Sequence, residues 1–284
     1  MSGQRVGVVT LAAGRHDHLA GQLAGLRRSL VPADVQVVAA MGDPGVADVV
    51  AAVAPPWPTE VLAVPVTGEL PLARARNAAA ARALALGAEL LVFLDVDCIP
   101  APALVTRYCD AAARAGEDLA VFCGPVHYLP PPGPGGYPAQ GFSALAGPHP
   151  ARPAPADGDV VLADDLRLFW SLSFAMRAAD WQRSGGFCED YVGYGGEDTD
   201  FAMSLGARGG RMHWVGGASA FHQHHRVESP PTRHAEAIVR NANLFYRRWG
   251  WFAMEGWLTA FAEMGLAHLD TGSSRWVIGP ASSR

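Results

Sequence analysis

The chain contains no lysine: all 22 of its Lys-plus-Arg positions are arginine, set against 27 acidic residues for a formal net charge of −5. With a pI near 6.0, that balance excludes a general nucleic-acid binder, which needs clustered cations to track phosphates. The richness in alanine, glycine, proline and arginine reads as GC-rich coding rather than as a functional adaptation. Cysteine is scarce. Cys98, Cys109, Cys123 and Cys188 form no CxxC pair and no zinc-ligand spacing, and a chain of this size needs no disulfide staples, so reduced and mostly buried thiols are expected. Long apolar runs are also missing. Nothing approaches the roughly 20 residues that span a bilayer, and the first residues lack the apolar core of a signal peptide. The expectation is a soluble, cytoplasmic protein without a transmembrane segment, with peripheral membrane contact left open. Hydrophobic residues at 50% and charged residues at 17% describe a globular chain long enough for a substantial core.

What is present is an alternation of short β-rich runs and helical patterns. Val6–Leu11, Val35–Ala40, Val61–Val64 and the continuous apolar run Leu90–Leu94 read as strands, the last buried on both faces. Leu19, Leu23, Leu26 and Leu30 keep helical spacing, and Leu72–Leu86 reads as an Ala-rich helix stopped by Gly87. Strands alternating with helices predict an α/β fold with a mainly parallel sheet, whose ligands bind beyond the carboxyl ends of the strands. Thr10–Arg15, Asp43 and Asp95–Asp97 all follow strands and are expected to line one crevice. Residues 129–158, dense in proline and glycine, read as a lid or acceptor-contacting loop. From Arg233 onward an aromatic-rich, mostly helical tail is expected to pack on the core. The predicted division is a catalytic domain over 1–232 and a C-terminal extension over 233–284. The catalytic domain splits into a nucleotide-binding half, 1–100, and an acceptor and metal half, 101–232.

Three constellations carry chemistry. Asp95-Val96-Asp97 ends a buried strand; carboxylates two apart in extended chain point to opposite sides, so one suits a metal and the other a ligand hydroxyl or water. A hard cation such as Mg²⁺ or Mn²⁺ fits these oxygens and leaves positions for phosphate. Arg74, Arg76 and Asn77 begin the helix feeding that strand, and arginine is suited to bidentate phosphate contacts. His222-Gln223-His224-His225 follows a β-like run and offers imidazole ligands to the same ion. The glycine-dense block Gly185–Phe201 crowds carboxylates that repel one another unless a substrate, metal or hydrogen-bond network compensates. In it Asp198 is the candidate general base for an attacking hydroxyl, with Glu197, Thr199 and Asp200 as alternatives or supports.

These residues resemble a GT-A-fold glycosyltransferase, similar to the large family 2 and to the galactosyltransferase C-terminal module. The resemblance rests on Phe93-Leu94-Asp95-Val96-Asp97 with Ile99-Pro100, on Gly185-Gly186-Phe187 through Gly195-Gly196-Glu197-Asp198-Thr199-Asp200-Phe201, and on Phe221-His222-Gln223. It covers roughly residues 5 to 250. It implies a nucleotide-sugar donor, most simply a UDP-sugar, a divalent Mn²⁺ or Mg²⁺, and inversion at the anomeric carbon of a transferred hexose. It also implies a glycan, glycolipid or small-molecule acceptor. By the same resemblance Asp97 and His222 bind metal, with His224 and His225 behind, and Asp95 contacts the donor. Asp198 is the base and Glu197 holds the acceptor, and Thr10, Arg15 and Asp43 match nucleotide contacts. Trp170, Tyr194, Gly195 and Gly196 complete the expected substrate contacts, with Tyr194 where the family usually has tryptophan. The competing readings are a nucleotidyltransferase of similar fold and a sugar-nucleotide or glycan-binding module without turnover.

Overall fold

A computed structural model describes residues 4–226 and 228–279, so the outermost ends of the predicted ranges, 1–3 and 280–284, lie outside the described residues. The first half alternates β1 (Val6–Ala12), α1 (His16–Leu26), β2 (Val35–Met41), α2 (Gly45–Val53), β3 (Thr59–Val64), α3 (Leu72–Ala85) and β4 (Leu90–Leu94). The second half begins with β5 (Cys98–Pro100), α4 (Leu104–Arg114), β6 (Ala120–Cys123), β7 (Val126–Tyr128) and β8 (Val160–Leu162). It continues with β9 (Ser173–Arg177), α5 (Ala178–Ser184), α6 (Glu197–Ala207), β10 (Arg211–Val215) and β11 (Ala220–His222). The chain then forms α7 (Ala235–Trp249), α8 (Glu255–Glu263), β12 (Ala267–Asp270) and β13 (Arg275–Ile278).

The main sheet runs β3-β2-β1-β4-β9-β6-β10-β8. Strands β1 to β4 pair in parallel, as do β6 and β10, while β9 is antiparallel to both its neighbours. Its central strands are apolar on both faces because helices cover both: every residue of β1, β2 and β4 is buried. Ala73, Ala75, Ala79, Ala80 and Ala83 of α3 share one core with Val9, Val37 and Phe93; methyl side chains let that helix lie close on the sheet. Strand β1 pairs with β2 on one side and β4 on the other, so the strand order reverses there and a crevice opens beyond their carboxyl ends.

A second sheet, β5-β11-β7, stands beside this crevice. Its register sets His222 opposite both Cys98 and Tyr128, and so places His222 against the Asp97 segment. Insertion 129–158 packs against this second sheet and hydrogen-bonds to it. Phe142 packs with Ile99, Leu129 and Phe221, the His149 amide donates to Val126 O at 2.9 Å, and the His224 amide donates to Tyr137 Oη at 2.9 Å.

The C-terminal region is helical only in part. After α8 the chain forms the antiparallel hairpin β12–β13, where the run Trp276-Val277-Ile278 favours extended backbone over the expected helix. Among the described residues no helix is long and apolar enough to cross a membrane.

Candidate active site

Beyond β4 the chain turns instead of staying extended: the Cys98 amide donates to Asp95 O at 2.8 Å, and the turn through Val96 and Asp97 sends the two aspartates apart. Asp97 meets the end of β11: its Oδ1 lies 3.4 Å from His222 Nε2, and its Oδ2 lies 3.5 Å from His225 Nε2. Ligand atoms of Asp97, His222 and His225 all fall within 4.8 Å of one another. Arg15, just after β1, donates to Asp97 Oδ2 at 3.0 Å. Burial pushes the Asp97 carboxyl up, but His225, His222 and Arg15 together outweigh it and leave its pKa below the usual value. Burial also lowers the pKa of His222, with Asp97 acting against it, which favours the neutral imidazole that ligates metals. One carboxylate and two imidazoles make a donor set that fits a divalent transition ion and is poorer for Mg²⁺, which prefers oxygen.

Asp95 turns the other way. Its Oδ1 lies 3.6 Å from the guanidinium of Arg76, which also donates to Ser171 Oγ at 2.9 Å and lies 4.6 Å over the Phe187 ring. Burial raises the Asp95 pKa to about 7, Arg76 opposes it, and Asp97 and Asp198 add to the rise. The charges of both aspartates reach Asp95, so the three carboxylates lie near one another.

Glu197 and Asp198 begin α6 behind the glycine turn. Asp198 Oδ2 accepts from the Ser171 amide at 2.8 Å, while its Oδ1 makes no hydrogen bond. Glu197 Oε2 is likewise buried and unpartnered. Burial, then the neighbouring Asp198, push the Glu197 pKa to about 8, with Arg76 only partly offsetting them. One oriented carboxylate with a free oxygen therefore sits beside one carboxyl that keeps its proton at neutral pH.

Other nominated residues fall elsewhere. Thr10 lies inside β1, fully buried, and spends its hydroxyl on Gln22 Oε1 at 2.8 Å; it is two residues short of the strand end and does not face the crevice. Asp43 accepts from the Gly14 amide at 2.7 Å and pairs with His16 Nε2 at 2.9 Å, which ties the β1 and β2 ends together. Arg74 reaches out to Pro65 O, on the outer side of α3, away from Asp95. Asn77 closes the Gly186-Phe187 turn, accepting from the Phe187 amide at 2.9 Å and donating to Phe187 O at 2.8 Å; it braces the turn rather than meeting a phosphate. His224 is exposed and engages through its backbone. Strand β11 ends at His222, so the alternation that would return His224 to the His222 face is lost, and His225 comes back instead.

The glycines of the block serve packing. Gly195 and Gly196 both have φ of 93°, and a Cβ on Gly195 would stand 2.5 Å from Met254 Sδ. The space expected for an acceptor at Gly195 is thus taken by the C-terminal region. Tyr194 is 40% exposed; its ring stacks on His234 at 5.0 Å and lies 5.7 Å from Trp257.

One contributor carried no local signal, and one residue expected at the chemistry serves packing. Asn241, fully buried on α7, donates its amide to Val192 O at 3.1 Å, Tyr194 O at 3.4 Å and Gly195 O at 2.9 Å. Asp200 accepts from Arg248 Nε at 2.6 Å and Trp249 Nε1 at 2.7 Å, so it anchors α6 to α7 instead of serving chemistry.

A family model described as the N-terminal domain of galactosyltransferase matches residues 164–227, the stretch bearing Glu197, Asp198, His222 and His225. Validoxylamine A glucosyltransferase of Streptomyces hygroscopicus subsp. jinggangensis is 30% identical over 201 residues, covering 62% of this chain and 44% of the relative. The chain thus spans less than half the length of that relative. Among solved structures, the mannosyltransferase PcManGT from Pyrobaculum calidifontis in complex with GDP-Man and Mn²⁺ superposes with a TM-score of 0.57 at 16% identity, over 93% of this chain and 77% of its own. GalNAc-T7 with UDP, GalNAc and Mn²⁺ gives a TM-score of 0.58 at 13% identity, over 86% of this chain and 50% of its own. The fold is that of GT-A glycosyltransferases. Both the matched family model and the curated relative are named for glycosyl transfer.

Proposed function

We propose that the protein is an inverting, metal-dependent glycosyltransferase that moves a hexose from a nucleoside-diphosphate sugar to an acceptor hydroxyl. The observation that carries this reading is Asp198: one oxygen fixed by the Ser171 amide, the other buried and free, near enough for its charge to act on Asp95, whose neighbour Asp97 joins the His222–His225 cluster. The nucleotide sits by Arg15 and Asp43, at the ends of β1 and β2, and a UDP-sugar is the simplest donor. Solved neighbours with UDP or GDP-Man support the donor class.

Asp97, His222 and His225 would hold the divalent ion, Mn²⁺ in preference to Mg²⁺, which when bound neutralises charge on the leaving diphosphate. Arg15, already on Asp97, is the nearest cation available to the same phosphates. Asp198 Oδ1 takes the proton of the acceptor hydroxyl as its oxygen attacks the anomeric carbon. The bond from that carbon to the diphosphate breaks on the opposite face, and the configuration inverts. Glu197, kept neutral by burial and by Asp198, donates a hydrogen bond to the acceptor and adds no second negative charge beside the base.

The test is a panel of sugar nucleotides with Mn²⁺ and with EDTA, scored for nucleotide release and for protection against thermal unfolding. Mn²⁺-dependent release from one donor is the expected result. Failure of every sugar nucleotide to bind with Mn²⁺ present would overturn the reading.

A further inference from the structure

We propose that insertion 129–158 and the segment before β9 build a ledge for a neutral, polyhydroxylated ring of the acceptor, formed by Tyr128, His149 and Trp170. The inference rests on the transferase reading and adds where the acceptor lies and what chemistry it presents.

The ring contacts run without interruption. Tyr128 stacks on His222 with centroids 4.6 Å apart, His149 lies 5.3 Å from Tyr128, and Trp170 meets His149 edge-on at 5.0 Å. The series starts at a residue of the proposed metal cluster and ends one residue from Ser171, whose amide holds Asp198. Tyr128 is 43% exposed, and His149 and Trp170 are partly exposed, so ring surface stands open beside the reacting centre. Sugar and cyclitol rings present C–H faces to such surfaces while their hydroxyls reach polar tips. Two such tips are at hand: the Tyr128 hydroxyl and His149 Nε2. The Ala151 amide donates to His149 Nδ1 at 3.2 Å, which leaves the proton of the neutral ring on Nε2 as a donor.

Position separates this ledge from the donor side. Arg15 and Asp43 lie at the ends of β1 and β2, whereas Trp170 precedes β9 and its neighbour Trp214 lies in β10, across β4 in the sheet order. Charge points to a neutral ring. The cation of the ledge, Arg152, is 4% exposed and lies over Trp170 at 5.1 Å and Trp214 at 4.8 Å. Its guanidinium nitrogens are buried and make no hydrogen bond. A planar guanidinium held between two indoles is a spacer and clamp for Trp170, and it cannot reach a ligand anion without leaving both rings.

The experiment uses the full chain with UDP and Mn²⁺, and titrates methyl β-D-glucopyranoside, myo-inositol, maltose and, as an anionic control, glucose 6-phosphate by saturation-transfer difference NMR. Wild type, Trp170→Ala, Tyr128→Leu and the conservative Trp170→Phe are compared, with circular dichroism to verify folding. Expected is binding of at least one neutral probe through its ring C–H protons. Its affinity should fall at least about tenfold in Trp170→Ala and Tyr128→Leu, and stay within about threefold in Trp170→Phe. The ledge is overturned by equal affinity in wild type and Trp170→Ala, by no wild-type signal from any neutral probe, or by preference for glucose 6-phosphate. Loss of UDP binding with Mn²⁺ in the wild type would instead strike the transferase reading, so the two failures are told apart.

Discussion

The carboxylates of Asp97 and Glu197 are the same chemistry held in opposite states. Around Asp97, burial is outweighed by two imidazoles and a guanidinium, and the acid stays ionised below its usual range. Around Glu197, burial is reinforced by Asp198 and only partly relieved by Arg76, so the pKa climbs to about 8. Burial alone therefore decides nothing here; the sign of the nearest partners does. A site that must collect a cation sets two imidazoles against one anion. A site that must pass a proton sets an oriented carboxylate beside a neutral acid. Asp95, at about 7, stands between the two regimes.

The most direct way to break this contrast is Asp198→Asn, which removes the base without changing shape. Transfer should fall about a thousandfold or more, while nucleotide-sugar binding, followed by protection against unfolding, stays within about threefold; near-normal turnover would remove Asp198 from the chemistry. On the cationic side, His222→Ala should lower turnover about a hundredfold and abolish Mn²⁺-dependent stabilisation. His225→Ala should weaken Mn²⁺ affinity at least about tenfold. His224→Ala should leave the Mn²⁺ titration unchanged, and a result in which His224 matters and His225 does not would redraw the cluster.

A smaller effect is expected from Asn241→Leu, which touches neither site directly. Freeing the carbonyls of Val192, Tyr194 and Gly195 should lower kcat about tenfold with little change in donor KM, because the turn that carries Glu197 and Asp198 loses its register. Asn241→Asp, whose carboxylate can only accept, should lose at least as much, while Asn241→Gln, which keeps an amide donor, should retain more; unchanged kcat in the leucine variant would rule out a positioning role.

The smallest effect concerns stability. Glu197 keeps its proton in the folded protein up to about pH 8, whereas the ordinary value is 4.5. Stability from this group is full below the ordinary value and is lost as pH rises through about 8. Glu197→Gln removes that dependence. Relative to wild type, its Tm should therefore gain at least about 3 °C between pH 5 and pH 8.5. Parallel Tm curves across that range would show that Glu197 is not held protonated.

Much of this molecule was legible from local pattern. The apolar runs at Val6–Leu11, Val35–Ala40 and Leu90–Leu94 became strands of one sheet, and the Ala-rich stretch from Leu72 became a helix against it. Both periodicities reflect which face is buried, and that is written into neighbouring residues. The same holds for the acidic start of α6, whereas Asp95 and Asp97 part company through a turn closed by the Cys98 amide and not through the alternation of an extended chain.

Contacts between distant segments left no such trace. Nothing near Asp200 announces Arg248 and Trp249, nothing near Gly195 announces Met254, and Asn77 looked like a phosphate ligand until Phe187 was seen to occupy it. The choice of His225 over His224 depended on where β11 stops, which pairing with β5 and β7 decides. By itself the sequence determined the elements, the crevice and the kinds of group available to it, since these follow from short-range periodicity and residue chemistry. Only the tertiary structure decided which carboxylate keeps its proton, which histidine reaches Asp97 and which glycines are filled by the C-terminal region. Each of those outcomes depends on the sign and distance of a partner far away in the chain.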